Sequence, residues 1–277
     1  MPLTSTSPRI SYERHGDSGP CVLLVMGFGM SGALWRPQVE GLRHDHQIVT
    51  FDHAGIGQSD PPEGLPTMAS MARGALRLLD EVRWQDAHVV GVSMGGMIAQ
   101  EIALTAPTRV RSLTLIATHA GGPRAVVPPA EGLYLFAKGN ISGPEGRVAA
   151  LKRLLYTPEF LAKTDMGALD RRMQDMVGKR ASKRVIGGHL HAVLRHATAA
   201  RLAKIEAPTL VVRPGHDKLI HPRNSDVLAR SIPGVRVARF DDAGHGITFQ
   251  CAEALNRELS GHIRLAERQA SQRQGDG

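Results

Sequence analysis

Short apolar, β-rich runs separated by helix-period segments place the tightest limit on how this chain folds. The runs "CVLLVM" (residues 21–26), "QIVTF" (47–51), "AHVVGV" (87–92) and "VRSLTLIAT" (110–118) are largely apolar or β-branched. That is the signature of strands buried on both faces. Between them, "PQVEGLRHD" (37–45) suits a short helix. "TMASMARGALRLLDEV" (67–82) sets Met68, Met71, Ala72, Ala75, Leu76, Leu79 and Val82 at spacings of three and four behind Thr67. This pattern predicts an amphipathic helix capped by the threonine hydroxyl. Another helix is expected from Met94 to about Ala106, stopped before Pro107. Strands that alternate with helices at these lengths are joined by crossovers, so the chain is α/β, with a mostly parallel sheet flanked by helices.

The alternation breaks after Thr118. "GGPRAVVPPAEG" (121–132) reads as a Gly- and Pro-rich hinge, and residues from about 130 to 200 carry helix-period patterns without a clear strand. Strands resume with "PTLVVR" (208–213) and "VRVARF" (235–240), separated by a helix from Pro222 to Ser231 and followed by one from Cys251 towards Leu265. The expected division is therefore a core of residues 1–119 and 201–268, a helical insertion over 120–200, and a disordered polar tail over 269–277.

Composition narrows the function classes. Hydrophobic residues at 42% and charged residues at 22% of 277 suit a soluble globular chain. The N-terminal "MPLTSTSPRI" lacks the pattern of an export signal, and no apolar run is long enough to span a membrane, so a cytoplasmic protein is expected. Cys21 and Cys251 read as free, buried thiols, and the thirteen histidines lack metal-ligand spacing. The net charge of +8 is concentrated between residues 120 and 200, where thirteen Lys and Arg face six Asp and Glu. They fall in separated pairs, Arg171-Arg172, Lys179-Arg180 and Lys183-Arg184, with almost no interleaved aromatic residues. This is a solvated basic face, or one that attracts an anionic substrate, rather than a nucleic-acid surface.

The stretch "HVVGVSMGGMIAQ" (88–100) places Ser93 at the junction of a strand and a helix, between Gly91 and Gly95. A serine hydroxyl needs exposure, a base and oxyanion donors before it acts as a nucleophile. A sharp strand-to-helix turn exposes it, and glycines let the two elements close up. With its GxSxG turn the chain resembles the α/β-hydrolase family. The resemblance runs over about residues 10–265 and implies an eight-stranded-type sheet with a helical cap inserted after the sixth core strand. The family's order of nucleophile, acid and histidine is met by Ser93, by Asp217 in "RPGHDKLIHP" and by His245 in "DDAGHGI", each after a late strand; Asp241 and Asp242 are rivals for the acid. "LLVMGFGMSGALW" matches the family's oxyanion loop, with Met26 in place of the usual histidine. The resemblance then implies backbone donors at Phe28 and Met94. "FDHAGIGQSD" resembles a structural turn of the family, with Ala54 where arginine is usual, and Arg213-Pro214 replaces the common pair before the acid turn.

What the resemblance implies is a serine hydrolase that cleaves a small or medium carboxylic ester through an acyl-enzyme, using no cofactor and no metal. Lactonases and C–C bond hydrolases of the family share this triad, and a non-catalytic ligand-binding protein on the same fold is a more distant alternative. Trp35 and the cap methionines Met166, Met173 and Met176 are candidate pocket residues, with core packing as the competing role for each. The expected partner is a small ester or lactone, with no nucleic acid or membrane involved, and the expected state is a monomer or homodimer.

Overall fold

The computed structural model describes residues 1–178 and 181–275. The pair Lys179-Arg180 and the last two residues of the expected tail lie outside them. The core strands are β1 (Tyr12–His15), β2 (Cys21–Val25), β3 (Gln47–Phe51), β4 (Ala87–Val92), β5 (Val110–Ile116), β6 (Thr209–Pro214) and β7 (Arg236–Phe240). They form one sheet in the order β1-β3-β2-β4-β5-β6-β7, with β1 antiparallel to β3 and every other pair parallel. The β2–β3, β3–β4, β4–β5 and β6–β7 connections pass over the faces of the sheet through α1 (Arg36–Leu42), α2 (Met68–Glu81), α3 (Met94–Thr105) and α9 (Arg223–Ser231), the β5–β6 connection carries the insertion, and after β7 the chain continues in α10 (Ile247–Gln250) and α11 (Ala252–Gly275).

Period-two alternation along the strands divides the core into two layers. Leu23, Val25, Val89, Leu113, Leu115 and Val211 face one side, where Met68, Ala72, Ala75, Leu78, Leu79, Met97, Ile98 and Ile102 of α2 and α3 cover them. Val22, Leu24, Val90, Val92, Leu210 and Val212 face the other, against Val39, Leu42, Leu255, Leu259 and Ile263 of α1 and α11. Thr67 caps α2 as the sequence predicts: its hydroxyl accepts the Ser70 N–H at 3.0 Å, and the Ser70 hydroxyl accepts the Thr67 N–H at 2.9 Å.

Three features differ from the sequence expectation. The sheet has seven strands rather than eight, and the insertion follows its fifth strand rather than its sixth. The segment that would supply another edge strand makes only an isolated antiparallel bridge, Leu3 to Ser11, because Pro2 and Pro8 lack the N–H groups a longer ladder needs. The tail is helical through Gly275 rather than disordered from 269, because Ile263 and Ala266 anchor α11 in the core and its polar end continues the same helix. No described helix is long and apolar enough to cross a membrane.

Among the described residues the regular elements of the insertion are helices, α4 (Ala130–Ile141), α5 (Pro144–Leu155), α6 (Pro158–Lys163), α7 (Met166–Gly178) and α8 (Lys183–Leu194), and an isolated antiparallel bridge joins Gly121 to Ala197 at its base. The insertion has a small core of its own around Leu155, Tyr156, Leu169 and Met173.

Close packing at the β4–α3 junction gives the first prediction. A Cβ on Gly95 would collide with the Val25 carbonyl oxygen and sit 2.8 Å from that of Met26, both backbone atoms that cannot move aside. Gly95→Ala is expected to cost about 1–3 kcal/mol. Gly74→Ala, on the open face of α2, is expected to gain roughly 0.5–1 kcal/mol. Urea midpoints that move in the same direction for both would contradict this packing argument.

Candidate active site

Ser93 holds φ 55° and ψ −123°, outside the helical and extended basins on either side of it. Such a conformation costs on the order of 1–3 kcal/mol, so neighbouring contacts must hold it. The Ser93 N–H donates to the Ile116 carbonyl at 2.9 Å, and the Ser93 carbonyl accepts from the Thr118 hydroxyl at 2.7 Å and the Gly96 N–H at 2.9 Å. A Cβ on Gly91 would strike the Gly95 carbonyl, and one on Gly96 would lie 2.7 Å from Thr118 Cβ. Small residues therefore let α3 leave the sheet at once, with the Met94 N–H in its first turn, where helix geometry provides no intrahelical acceptor.

The acid and the imidazole meet across two neighbouring turns. Asp217 follows β6 and His245 follows β7, and the turns are tied together by Gly215 N–H to Phe240 O and His216 N–H to Ala243 O, both 2.9 Å. Asp217 Oδ2 lies 2.7 Å from His245 Nδ1, while its Oδ1 accepts the N–H groups of Leu219 and Ile220 at 2.8 Å each. These bonds fill the carboxylate's acceptor sites and aim it at one ring nitrogen. Of the rival acids, Asp241 lies exposed beside Arg213 at 3.8 Å, and Asp242 is exposed. Arg213 also pairs with Asp226 at 3.2 Å, so the unusual residue before the acid turn anchors α9 and the β7 turn.

Ser93 and His245 share the wall of a cavity of about 110 Å³ with Gly27, Phe28, Leu34, Tyr156, Arg172 and Met176. A Cβ on Gly27 would lie 3.2 Å from Ser93 Cβ, so the loop carrying Phe28 passes directly over the serine. That loop is fastened by two histidines the sequence did not single out. His53 Nε2 bonds the Met26 carbonyl at 2.9 Å, and His189 Nδ1, from α8 of the cap, accepts the Gly29 N–H at 3.2 Å.

Of the four expected pocket residues, Met176 lines this cavity and three do not. Trp35 is fully buried in the core layer under α1 and α11, because the 3-10 turn at 32–35 directs Leu34, not its neighbour, to the cavity. Met173 is fully buried in the cap's own core. Met166, at the start of α7, is 44% exposed. Arg172 and Met176 are instead the α7 pair at i and i+4 that faces Ser93. The sequence does not single out Thr118, His53, His189 and Tyr156, and marks Arg172 only as one of a basic pair, because their places are set by contacts across the fold, which spacing along the chain does not reveal.

Three histidines around the site, the buried His189 and His196 and the part-buried His119, are held neutral. Burial pushes His119 down to about 4 and His189 to about 3, with His53 adding to the latter, and burial with His119 as the next cause takes His196 to about 3. An unfolded histidine takes up its proton near pH 6.5, so below that value the unfolded chain binds more protons than the folded one. Stability is whole above pH 6.5 and is lost as pH falls towards the folded values, by up to about 1.4 kcal/mol per pH unit for each residue. The urea midpoint is expected to be level from pH 8 to 7 and to fall steadily from 6.5 to 4.5; a level midpoint over the lower range would refute it.

A sequence profile of the alpha/beta hydrolase fold matches residues 20–250. The chain is 35% identical over 253 residues to the Azorhizobium caulinodans protein named "Putative carbamate hydrolase RutD", covering 90% of this chain and 93% of that one. The crystal structure of a hydrolase from Pseudomonas aeruginosa PA01 superposes with a TM-score of 0.80 at 25% identity, over 95% and 97% of the two chains. The enol-lactonase from Burkholderia xenovorans LB400 shares the fold with a TM-score of 0.83 at 22% identity, over 95% and 100%. The protein therefore belongs to the α/β-hydrolase family.

Proposed function

We propose that this chain is a serine hydrolase that cleaves a carboxylic ester of small or medium size through an acyl-enzyme. The observation that carries the reading is that Ser93, on a strained and clamped turn, and His245, whose Nδ1 lies 2.7 Å from Asp217 Oδ2, line one apolar cavity. His245 Nε2 takes the Ser93 proton as Oγ attacks the ester carbonyl, and Asp217 holds the Nδ1–H tautomer and stabilises the imidazolium. The N–H groups of Phe28 and Met94 receive the charge that develops on the carbonyl oxygen. The C–O bond breaks, His245 returns the proton to the departing alcohol, and water activated by the same imidazole releases the acid and restores Ser93.

A lactone offers the same carbonyl to the same residues and yields one hydroxy acid in place of an acid and an alcohol. A carbamate, the substrate class in the name of the 35% identical relative, replaces an acyl carbon by nitrogen and is open to the same attack. The apolar lining beside Ser93, with Phe28, Leu151, Leu154, Leu155 and Met176, favours an ester with hydrocarbon parts.

The test is hydrolysis of p-nitrophenyl butyrate by the wild type and by Ser93→Ala, Asp217→Asn and His245→Ala. The serine variant is expected to lose about 10³-fold or more in kcat. A fluorophosphonate probe should add its mass to the peptide that holds Ser93 in the wild type alone. Equal nitrophenol release by wild type and Ser93→Ala would sink the mechanism. Faster turnover of a lactone or carbamate than of the matched open-chain ester would move the substrate assignment and leave the mechanism standing.

A further inference from the structure

Ser93 stands where two chambers meet. Phe28, Phe136 and Leu219 line both with it, but the remaining walls differ. The larger chamber, about 330 Å³, is apolar, with Met97, Val126, Val127, Leu190 and Val193 in its wall, and it contains Met94 but not His245. The smaller, about 110 Å³, contains His245, Tyr156 and Arg172.

Arg172 has no Asp or Glu oxygen within 4 Å among the described residues. Its Nε donates to the Tyr156 hydroxyl at 3.2 Å, Nη1 to the Leu34 carbonyl at 3.2 Å and Nη2 to the Thr248 hydroxyl at 3.4 Å, and the guanidinium lies 4.9 Å from the Phe249 ring centre. All of these partners are neutral; burial pushes the Tyr156 hydroxyl up, so it is no counter-ion. The carboxylate of the site, Asp217, is already engaged by His245, Leu219 and Ile220. Other part-buried cations are paired: Arg111 with Glu267 and Asp86, Arg201 with Glu101, Arg213 with Asp226 and Lys218 with Glu131. A cation withdrawn from water without a counter-charge is costly, and three neutral acceptors fix its direction without cancelling its charge. Of its five N–H groups these bonds use three, which leaves one on each terminal nitrogen for a planar, two-oxygen acceptor.

The side on which this acceptor binds follows from proton transfer. A departing alkoxide takes its proton from His245, so the leaving group occupies the chamber that His245 lines. Resting on the serine-hydrolase reading above, we propose that Arg172 selects esters whose alcohol part carries a carboxylate, with the apolar acyl part in the larger chamber. Attack by Ser93 Oγ forms the acyl–oxygen bond, the C–O bond to the alcohol breaks, its oxygen receives the proton from His245, and a small hydroxy acid leaves. Water then releases the acyl group as a second carboxylic acid.

The experiment compares O-butanoyl glycolate with O-butanoyl glycolamide, which match in shape and differ in charge, in a pH-stat. The wild type is expected to favour the charged ester in kcat/KM by about tenfold or more. The ratio should fall towards one in Arg172→Met and be partly rescued in Arg172→Lys. A second pair, ethyl hemisuccinate and ethyl succinamate, carries the charge on the acyl side and should be discriminated far less. A wild-type ratio near or below one, a ratio unchanged in Arg172→Met, or a preference confined to the acyl side would each overturn the proposal. Should Arg172→Met not fold, competitive inhibition of wild-type p-nitrophenyl butyrate hydrolysis decides: glycolate is expected to bind at least about tenfold tighter than glycolamide, and equal inhibition overturns the assignment. Ser93-dependent turnover of both glycolyl esters without preference removes the role of Arg172 alone. No Ser93-dependent turnover of any ester removes the hydrolase reading as well.

Discussion

The unfavourable backbone of Ser93 is the constraint on which the rest of this molecule depends. A residue at φ 55° and ψ −123° does not hold itself, and here it is held from both sides by β5. The Ile116 carbonyl takes the Ser93 N–H, and Thr118, just beyond that strand, returns a hydroxyl to the Ser93 carbonyl. Those bonds exist because β5 pairs with β4 in a register that sets Val92 opposite Ile116. On the other flank, β2 brings the Val25 carbonyl against Gly95, where even a methyl group would not fit. Three parallel strands in the order β2-β4-β5 are therefore the clamp. The strain, on the order of 1–3 kcal/mol, is small beside what a core of this size supplies.

Features that follow from neighbours along the chain were open to reading from the sequence. The order of strands and helices, the Thr67 cap and the glycine-flanked serine turn are each signalled by residues within a few positions of one another, where periodicity and glycine placement carry a direct physical meaning, although the contacts that hold the serine turn come from β2 and from β5 and its end. Asp217 and His245 were located by their order after the late strands, and the structure sets them 2.7 Å apart. The pocket was far less legible. Trp35 and Leu34 are adjacent and both apolar, yet one is sealed in the core while the other borders the cavity. Composition does not separate them; the phase of a single 3-10 turn does. Along α7 the methionines at 166, 173 and 176 look alike in sequence and have three different fates: solvent, cap core and cavity. Which face of a cap helix looks down depends on how the cap docks, and that information lies in contacts such as Gly29 with His189, 160 positions apart.

Docking of the cap is also what completes the site. The loop that carries Phe28 is held from the core by His53 and from the cap by His189, so the position of the backbone N–H proposed as an oxyanion donor depends on both. Both rings stay neutral because burial lowers their affinity for protons, and a neutral His189 keeps Nδ1 as the acceptor that the Gly29 N–H requires. Protonation would turn that acceptor into a donor facing a donor. The burial of His189 in the docked cap thus preserves the bond that shapes the loop over Ser93.

Arg172 works by the same coupling between layers. It grows from the cap, but two of its hydrogen-bond partners, Leu34 and Thr248, belong to the core, and the third, Tyr156, packs against Gly246 beside His245. The guanidinium is fixed in place only when cap and core are together. A flexible cation would screen itself in solvent and discriminate little between charged and neutral ligands. One pinned at three points in a low-dielectric cavity presents its remaining N–H groups in a set geometry, and there the difference between a carboxylate and its amide isostere is felt in full. The chemistry proposed for this chain is set by a turn in the core, and its selectivity by an arginine that the fold delivers from the cap.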